Sequence, residues 1–161
     1  MVEDLRFEPL APDSFEPFGR VLETGCMEPR AINHGLTLKY ADLAAPMLGG
    51  EGRAVVAIYR SQPVNLPFRI REVERHVGRS QLFMPLHHRP FPIVVGLGDD
   101  APDSLRAFLS NGRQGVCLHP GVWHHHQISL EASCDYLVLE SRDNESVTET
   151  HVLPDILMLL D

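Results

Sequence analysis

Glu72-Val73-Glu74-Arg75-His76-Val77-Gly78-Arg79-Ser80-Gln81-Leu82-Phe83-Met84 is the stretch from which the fold is read. Side chains alternate across a strand, so Glu74 and His76, two apart, share one face and Arg75 takes the other. A carboxylate and an imidazole then point the same way. Gly78 breaks the segment, and Gln81 opens an apolar run at a spacing where a hairpin would return a polar side chain toward the same interior. The spacing Glu-x-His-x4-Gln therefore predicts two strands that share a polar interior.

Similar signals recur on both sides. Ala54–Tyr59, Phe91–Leu97, Leu105–Leu109, Gly115–Leu118 and Tyr136–Glu140 are short runs rich in β-branched and apolar residues. Breakers separate them: Ser61-Gln62-Pro63, Asn65-Leu66-Pro67, Gly98 to Asp103, Asn111-Gly112 and His119-Pro120-Gly121. This is how an all-β sandwich or barrel reads. Asn111-Gly112 has the chemistry of a hairpin turn. Two segments read as helical. One is Pro12–Phe18, where Asp13 or Ser14 would cap a short turn; the other is Pro154–Leu160, apolar nearly all round and expected to dock on the barrel or on a second subunit. With no repeat, linker or charge block, residues 1–161 read as a single domain.

The 161 residues are 43% hydrophobic and 22% charged, enough to bury one core, and they lack the composition of disorder. A net charge of −8 disfavours a grip on nucleic acid or on an anionic membrane. No apolar run reaches the roughly 20 residues of a membrane span, and Met1–Arg6 lacks the character of a secretory signal. Cys26, Cys117 and Cys134 are widely spaced and form no Cys-x-x-Cys pair, so they read as free thiols. The expected location is the cytoplasm.

Nine histidines stand out in so acidic a chain, and six fall in two groups: His87-His88, and His119 with His124-His125-His126. Imidazole titrates near neutrality and ligates metals, so histidines beside carboxylates suggest acid–base or metal work. His34, His151 and one of His87 or His88 read as surface or hydrogen-bonded structural residues. In the run of three, alternation sends the middle ring to the opposite face. His124, following Trp123 and the turn at Gly121, is the expected inward member. His126 is either a second inward residue or packed and inert.

These pieces resemble the two motifs of cupin barrels, H-x-H-x4-E and P-x-G-x2-H. The matching positions are Glu74, His76, Gln81 and His124, with Gly121 at the glycine of the second motif. The resemblance implies an all-β, cupin-like double-stranded β-barrel with a few short helices, in which these residues meet at the centre. Two positions are histidine, a third has Glu for His, and the fourth holds neutral Gln. Glu74, His76, Gln81 and His124 are thus the candidate ligands for a divalent metal ion, and Ni, Mn and Zn are not separated by this donor set. No organic cofactor is expected.

A closer likeness covers nearly the whole chain. Arg60–Pro67, Glu74-Arg75-His76, Gln81–Pro85, Gly98-Asp99-Asp100, Leu105–Phe108, Asn111–Val116 and Val122–His125 resemble, in order and spacing, the ureidoglycolate lyase family of ureide catabolism. So do Phe15–Gly19 and Ile32-Asn33. The resemblance implies cleavage of (S)-ureidoglycolate to glyoxylate and urea in the degradation of allantoin and other purines, by a homodimer. The chain departs from the pattern at His87-His88-Arg89, where relatives carry a lysine and a glycine; a loop there that reached the ligand would affect substrate preference.

Such a substrate carries a hydroxyl and a ureido nitrogen on one carbon, beside a carboxylate. A base must take the hydroxyl proton, an acid or cation must help the urea nitrogen leave, and a positive group must hold the carboxylate. Glu74, His76 and His124 are the candidate proton handlers, with His124 or His76 as base. Gln81 is placed to bond the ureido group. Arg60 and Arg106 lead Arg75 as carboxylate partners, because a guanidinium suits bidentate pairing. Trp123 is expected as a pocket wall. Two other readings share these residues: another metal-dependent cupin enzyme, an isomerase or dioxygenase, and a non-catalytic barrel that binds a small carboxylate.

Overall fold

In a computed structural model, which describes residues 3–142 and 148–159, the regular structure is nearly all strand, joined by turns and loops, with one four-residue α-helix. The elements are β1 (Glu3–Pro9), α1 (Pro12–Phe15), β2 (Gly19–Leu22), β3 (Arg30–Ile32), β4 (Thr37–Lys39), β5 (Arg53–Ser61), β6 (Phe68–His76), β7 (Gln81–Pro85), β8 (Pro92–Leu97), β9 (Ser104–Leu109), β10 (Gly115–Leu118), β11 (Trp123–His124), β12 (Cys134–Arg142) and β13 (Thr148–Leu159). Six strands join edge to edge in a closed ring, β1-β13-β6-β11-β8-β9. Five more form a second sheet, β2-β10-β7-β12-β5, and β3 pairs with β4 in a small ribbon. The fold is all-β and cupin-like, as the sequence implies.

Two apolar clusters hold it. One joins Phe83, Val116, Tyr136 and Val138 of the five-stranded sheet to Ile93, Val95 and Phe108 of the ring, with Phe15 and Phe18. The other collects Leu5, Ile70, Val73, Val94, Ala107 and Trp123 on the opposite face of the ring strands. Alternation therefore sorts neighbours: Val94 and Val95 lie in different clusters, and Val73 of β6 joins the second while Glu74, next to it, takes the other face. Packing both faces of the ring strands accounts for the unbroken apolar run of β8.

Four local expectations change. The turn at Gly78 does not close a hairpin. Both edges of β6 are already paired, to β13 and to β11, so the chain crosses to the other sheet, where β7 pairs with β10 and β12. Gly78 at φ 76° makes that reversal in a conformation that a side chain disfavours. Asn111-Gly112 likewise links β9 in the ring to β10 in the second sheet, which are not partners. Residues 154–159, expected to be helical, belong to β13, which runs parallel to β1 and antiparallel to β6. A run that is apolar all round has no period to separate helix from fully paired strand, and here two flanking strands supply the backbone partners. Leu160 lies outside the described residues. The expected helix after Pro12 forms over one turn, but Ala11 is its N-cap and the Ser14 hydroxyl bonds back to the Ala11 carbonyl (3.2 Å).

Candidate active site

The register of the ring brings the two sequence pieces together. β11 lies antiparallel to β6 with His124 directly opposite Glu74, and the turn before it is pinned by a bond from the Gly121 amide to the His76 carbonyl (2.9 Å). Alternation then puts Arg75 and Trp123 together on the far face, the guanidinium 4.5 Å from the indole centroid. Glu74, His76 and His124 face the five-stranded sheet. Glu74 and His76 line a cavity of about 700 Å³ that also takes in Tyr59, Arg79, Gln81 and Glu140, and His124 is buried beside Glu74.

The distances are short. Glu74 Oε1 lies 3.6 Å from His124 Nε2 and 3.9 Å from His76 Nε2, and the two imidazole centroids are 5.2 Å apart. His124 is only 3% exposed. Its Nδ1–H donates to the Val122 carbonyl (3.0 Å), which leaves Nε2 with a lone pair, and that buried atom has no hydrogen-bond partner among the described residues. An unpartnered buried acceptor costs roughly 1–3 kcal/mol, a cost that a ligand bonding to it would offset.

His76 is the opposite tautomer. Gln81 donates its Nε2–H to Glu140 Oε2 (3.3 Å) and turns Oε1 to His76 Nε2 (3.2 Å), so the neutral ring carries its proton on Nε2. Its Nδ1 accepts from Thr148 Oγ1 (3.2 Å), and the Arg79 guanidinium lies 3.4 Å away. Burial, followed by the neighbouring His124, holds the His76 imidazole below its ordinary range, against the pull of Glu74. When its ring also carries a proton on Nε2, His124 donates to Glu74, and this holds the Glu74 carboxyl below the usual carboxylate range despite desolvation, aided by His76 and His126. The site thus pairs an ionised carboxylate with one imidazole offering a lone pair and another offering an N–H.

The same three residues suit a divalent cation. Their ligand atoms all lie within 4.8 Å of one another, as one carboxylate oxygen and two imidazole nitrogens, and the free lone pair of His124 Nε2 needs no rearrangement to coordinate. Gln81 Oε1 lies beside this group, 3.2 Å from His76 Nε2.

Other expected site residues lie elsewhere. Arg60 is on the lining, but its guanidinium is 69% exposed and is held by both oxygens of Asp135 (2.7 and 2.9 Å). Arg106 is outside the cavity, clamped by Glu8 and stacked 4.8 Å from the Phe108 centroid. Alternation along β9 turns it away from Ala107 and toward β1 and α1. Trp123 is not a wall either: its indole is buried on the other face of β11 and donates to the Gly98 carbonyl (3.0 Å). His126, past the end of β11, does reach the lining. The departure at His87-His88-Arg89 lies on a separate groove lined by Met84, Leu137 and Leu139.

Sequence reading did not single out Tyr59, Arg79, Glu140 or Thr148 for the site. Arg79 lies inside the quoted stretch, three residues after His76, but in the turn at Gly78, where strand alternation no longer fixes its direction; Glu140 ends a quoted run and meets Gln81 and Tyr59 only once β12 is placed beside β7 and β5.

His125 has a structural role. It is buried, with its ring 5.8 Å from that of Phe68 and its Nδ1 bonded to the His126 carbonyl (2.9 Å). Burial, with His126 beside it, pushes its imidazole from 6.5 down to about 4. Above pH 6.5 the ring is neutral whether folded or not; as pH falls from 6.5 to about 4, only the unfolded chain takes the proton. Stability is expected to drop across that window by roughly 3 kcal/mol from this residue. Urea unfolding measured through the window should show the slope, and His125→Asn should flatten it.

The ureidoglycolate lyase family matches residues 2–159 of this chain. A ureidoglycolate lyase of Pseudomonas entomophila is 40% identical over 159 residues, covering 97% of this chain and 95% of that protein. One from Pseudomonas aeruginosa is 41% identical over 161 residues (98% and 95%), and one from Brucella anthropi 42% identical over 156 residues (96% and 92%). A match of this extent, over a fold that brings Glu74, His76 and Gln81 to one cavity with His124 buried beside Glu74, places the chain in the ureidoglycolate lyase family.

Proposed function

We propose that this chain cleaves (S)-ureidoglycolate to glyoxylate and urea, in the breakdown of allantoin and other purines. The observation that carries the reading is the buried, unpartnered Nε2 of His124 beside Glu74. That nitrogen takes the substrate's hydroxyl proton as the C=O of glyoxylate forms and the C–N bond breaks, its electron pair passing to the ureido nitrogen. Glu74 stabilises the imidazolium. The proton leaves one substituent and is needed on another of the same carbon, so one imidazole can carry it from oxygen to nitrogen. Neutral His76 keeps its Nε2–H on Gln81 Oε1, and the second lone pair of that oxygen accepts a ureido N–H. If a divalent ion is bound, Glu74, His76 and His124 would hold it and it would supply a Lewis acid for the substrate oxygens; the proton roles of His124 and His76 belong to the metal-free site.

Arg79, half-buried beside His76, is the guanidinium best placed for the carboxylate; Arg60 meets the substrate at the exposed rim. Arg79→Met is expected to raise KM by roughly tenfold to a hundredfold, more than it lowers kcat, and Arg79→Lys should restore little, since an ammonium lacks the bidentate fork. Steady-state kinetics on both variants checks this.

The active form is a homodimer. On the outer face of the five-stranded sheet, Val56 and Ile58 are 61% and 64% exposed and lie opposite Leu139 and Leu137. An apolar patch of this kind suits burial against a second copy. Ile58→Asp is expected to shift the mass found by light scattering from dimer to monomer. The three cysteines are free, which fits a reducing compartment, the cytoplasm; no helix among the described residues is long and apolar enough to cross a membrane.

The test is to incubate the protein, before and after chelation, with (S)-ureidoglycolate and measure urea against ammonia. Urea supports the lyase. Ammonia instead indicates hydrolysis, and neither product leaves a carboxylate-binding barrel.

A further inference from the structure

Glu140 has no part in the proton path, yet the polar side chains of the cavity end on it. It shares the parity of buried Tyr136 and Val138 on β12 and so points between the sheets. Both its oxygens accept from the Tyr59 hydroxyl (3.4 and 3.2 Å), and Oε2 also accepts from Gln81 Nε2 (3.3 Å). Burial, with Glu140 beside it, pushes the Tyr59 hydroxyl up to about 12, so the phenol stays a donor. A carboxylate only accepts. The two ends of an amide are alike in size and opposite in hydrogen-bonding sense, so neighbours decide which end faces the reacting centre. Turned round, Gln81 would set its oxygen against the Glu140 carboxylate and its NH2 against a donor at His76.

We propose that Glu140 is a positioning residue, which by accepting the Gln81 amide N–H turns Gln81 Oε1 toward His76 and the ureido group. The inference rests on the lyase reading, since an inward acceptor matters because a ureido group presents N–H donors. Glu140 thereby sets which bonds the site offers without touching the substrate.

Exchanging the two groups tests it. In E140Q the new amide can donate to Gln81 Oε1 and reverse its orientation, so kcat should fall roughly tenfold to a hundredfold, the scale of a misplaced positioning group. Q81E sets two carboxylates together and should also be slow. In the double variant Q81E/E140Q the amide and carboxylate trade places, an oxygen again faces inward, and kcat should recover at least tenfold over E140Q. A merely structural role predicts additive losses. A double variant no faster than E140Q, or an E140Q enzyme within twofold of the unsubstituted one, overturns the proposal. NMR on the unsubstituted chain gives an independent answer: the Gln81 amide protons should show stronger NOEs to the Tyr59 ring, on the Glu140 side, than to the His76 ring, and the reverse pattern overturns it. If the unsubstituted chain releases no urea, the lyase reading fails, and the amide spectrum still decides the orientation.

Discussion

His124→Asn is expected to lower kcat for ureidoglycolate by roughly 10²- to 10⁴-fold, the usual worth of an acid–base group, with the fold and its melting temperature retained. Asparagine can keep a donor near the position of Nδ1 and so preserve the bond to the Val122 carbonyl, while it removes the Nε2 lone pair. That lone pair is buried without a partner, so its loss relieves the folded protein of a desolvation cost of roughly 1–3 kcal/mol. Loss of turnover with unchanged or raised stability is the signature of a functional group rather than a packing one. Urea release and thermal unfolding measured on the same preparation decide it. A variant with nearly full kcat would move the base to another residue.

Glu74→Gln is expected to lower kcat by roughly 10²- to 10³-fold, or about 3–4 kcal/mol of transition-state stabilisation. A unit charge pair at the 3.6 Å between Glu74 Oε1 and His124 Nε2 is worth about 4–5 kcal/mol at an effective dielectric near 20, and partial exposure of the carboxylate reduces that figure. The charge exists on both partners only once His124 holds the proton, so the loss should appear in kcat more than in KM. Glutamine keeps the shape and removes the charge. Equal kcat in the two proteins would show that no positive charge develops on His124 during the reaction.

Local rules carried the reading some distance. Parity put Glu74 and His76 on one face with Arg75 on the other, and separated Trp123 from His124, because the pleat fixes side-chain direction without reference to the rest of the chain. The same rule makes Arg75 and Trp123 neighbours, a pairing visible only when β6 and β11 are aligned. Runs such as Phe91–Leu97 and Tyr136–Glu140 announced strands through composition. They did not announce partners, and the turns at Gly78 and Asn111-Gly112 looked like hairpins because turn chemistry is the same whether a chain returns to its own sheet or crosses to another.

By itself, then, the sequence determined an all-β chain, the four side chains Glu74, His76, Gln81 and His124, and the family to which they belong. Tertiary structure alone decided that Arg106 pairs with Glu8, that Trp123 packs away from the cavity, and that Arg79, Tyr59, Glu140 and Thr148 surround His76 and Gln81. It also decided which imidazole has a lone pair to offer and which an N–H. The physical reason is that a tautomer or an amide orientation is set by hydrogen-bond partners, and those partners, Thr148 for His76 and Glu140 for Gln81, stand 72 and 59 residues away along the chain.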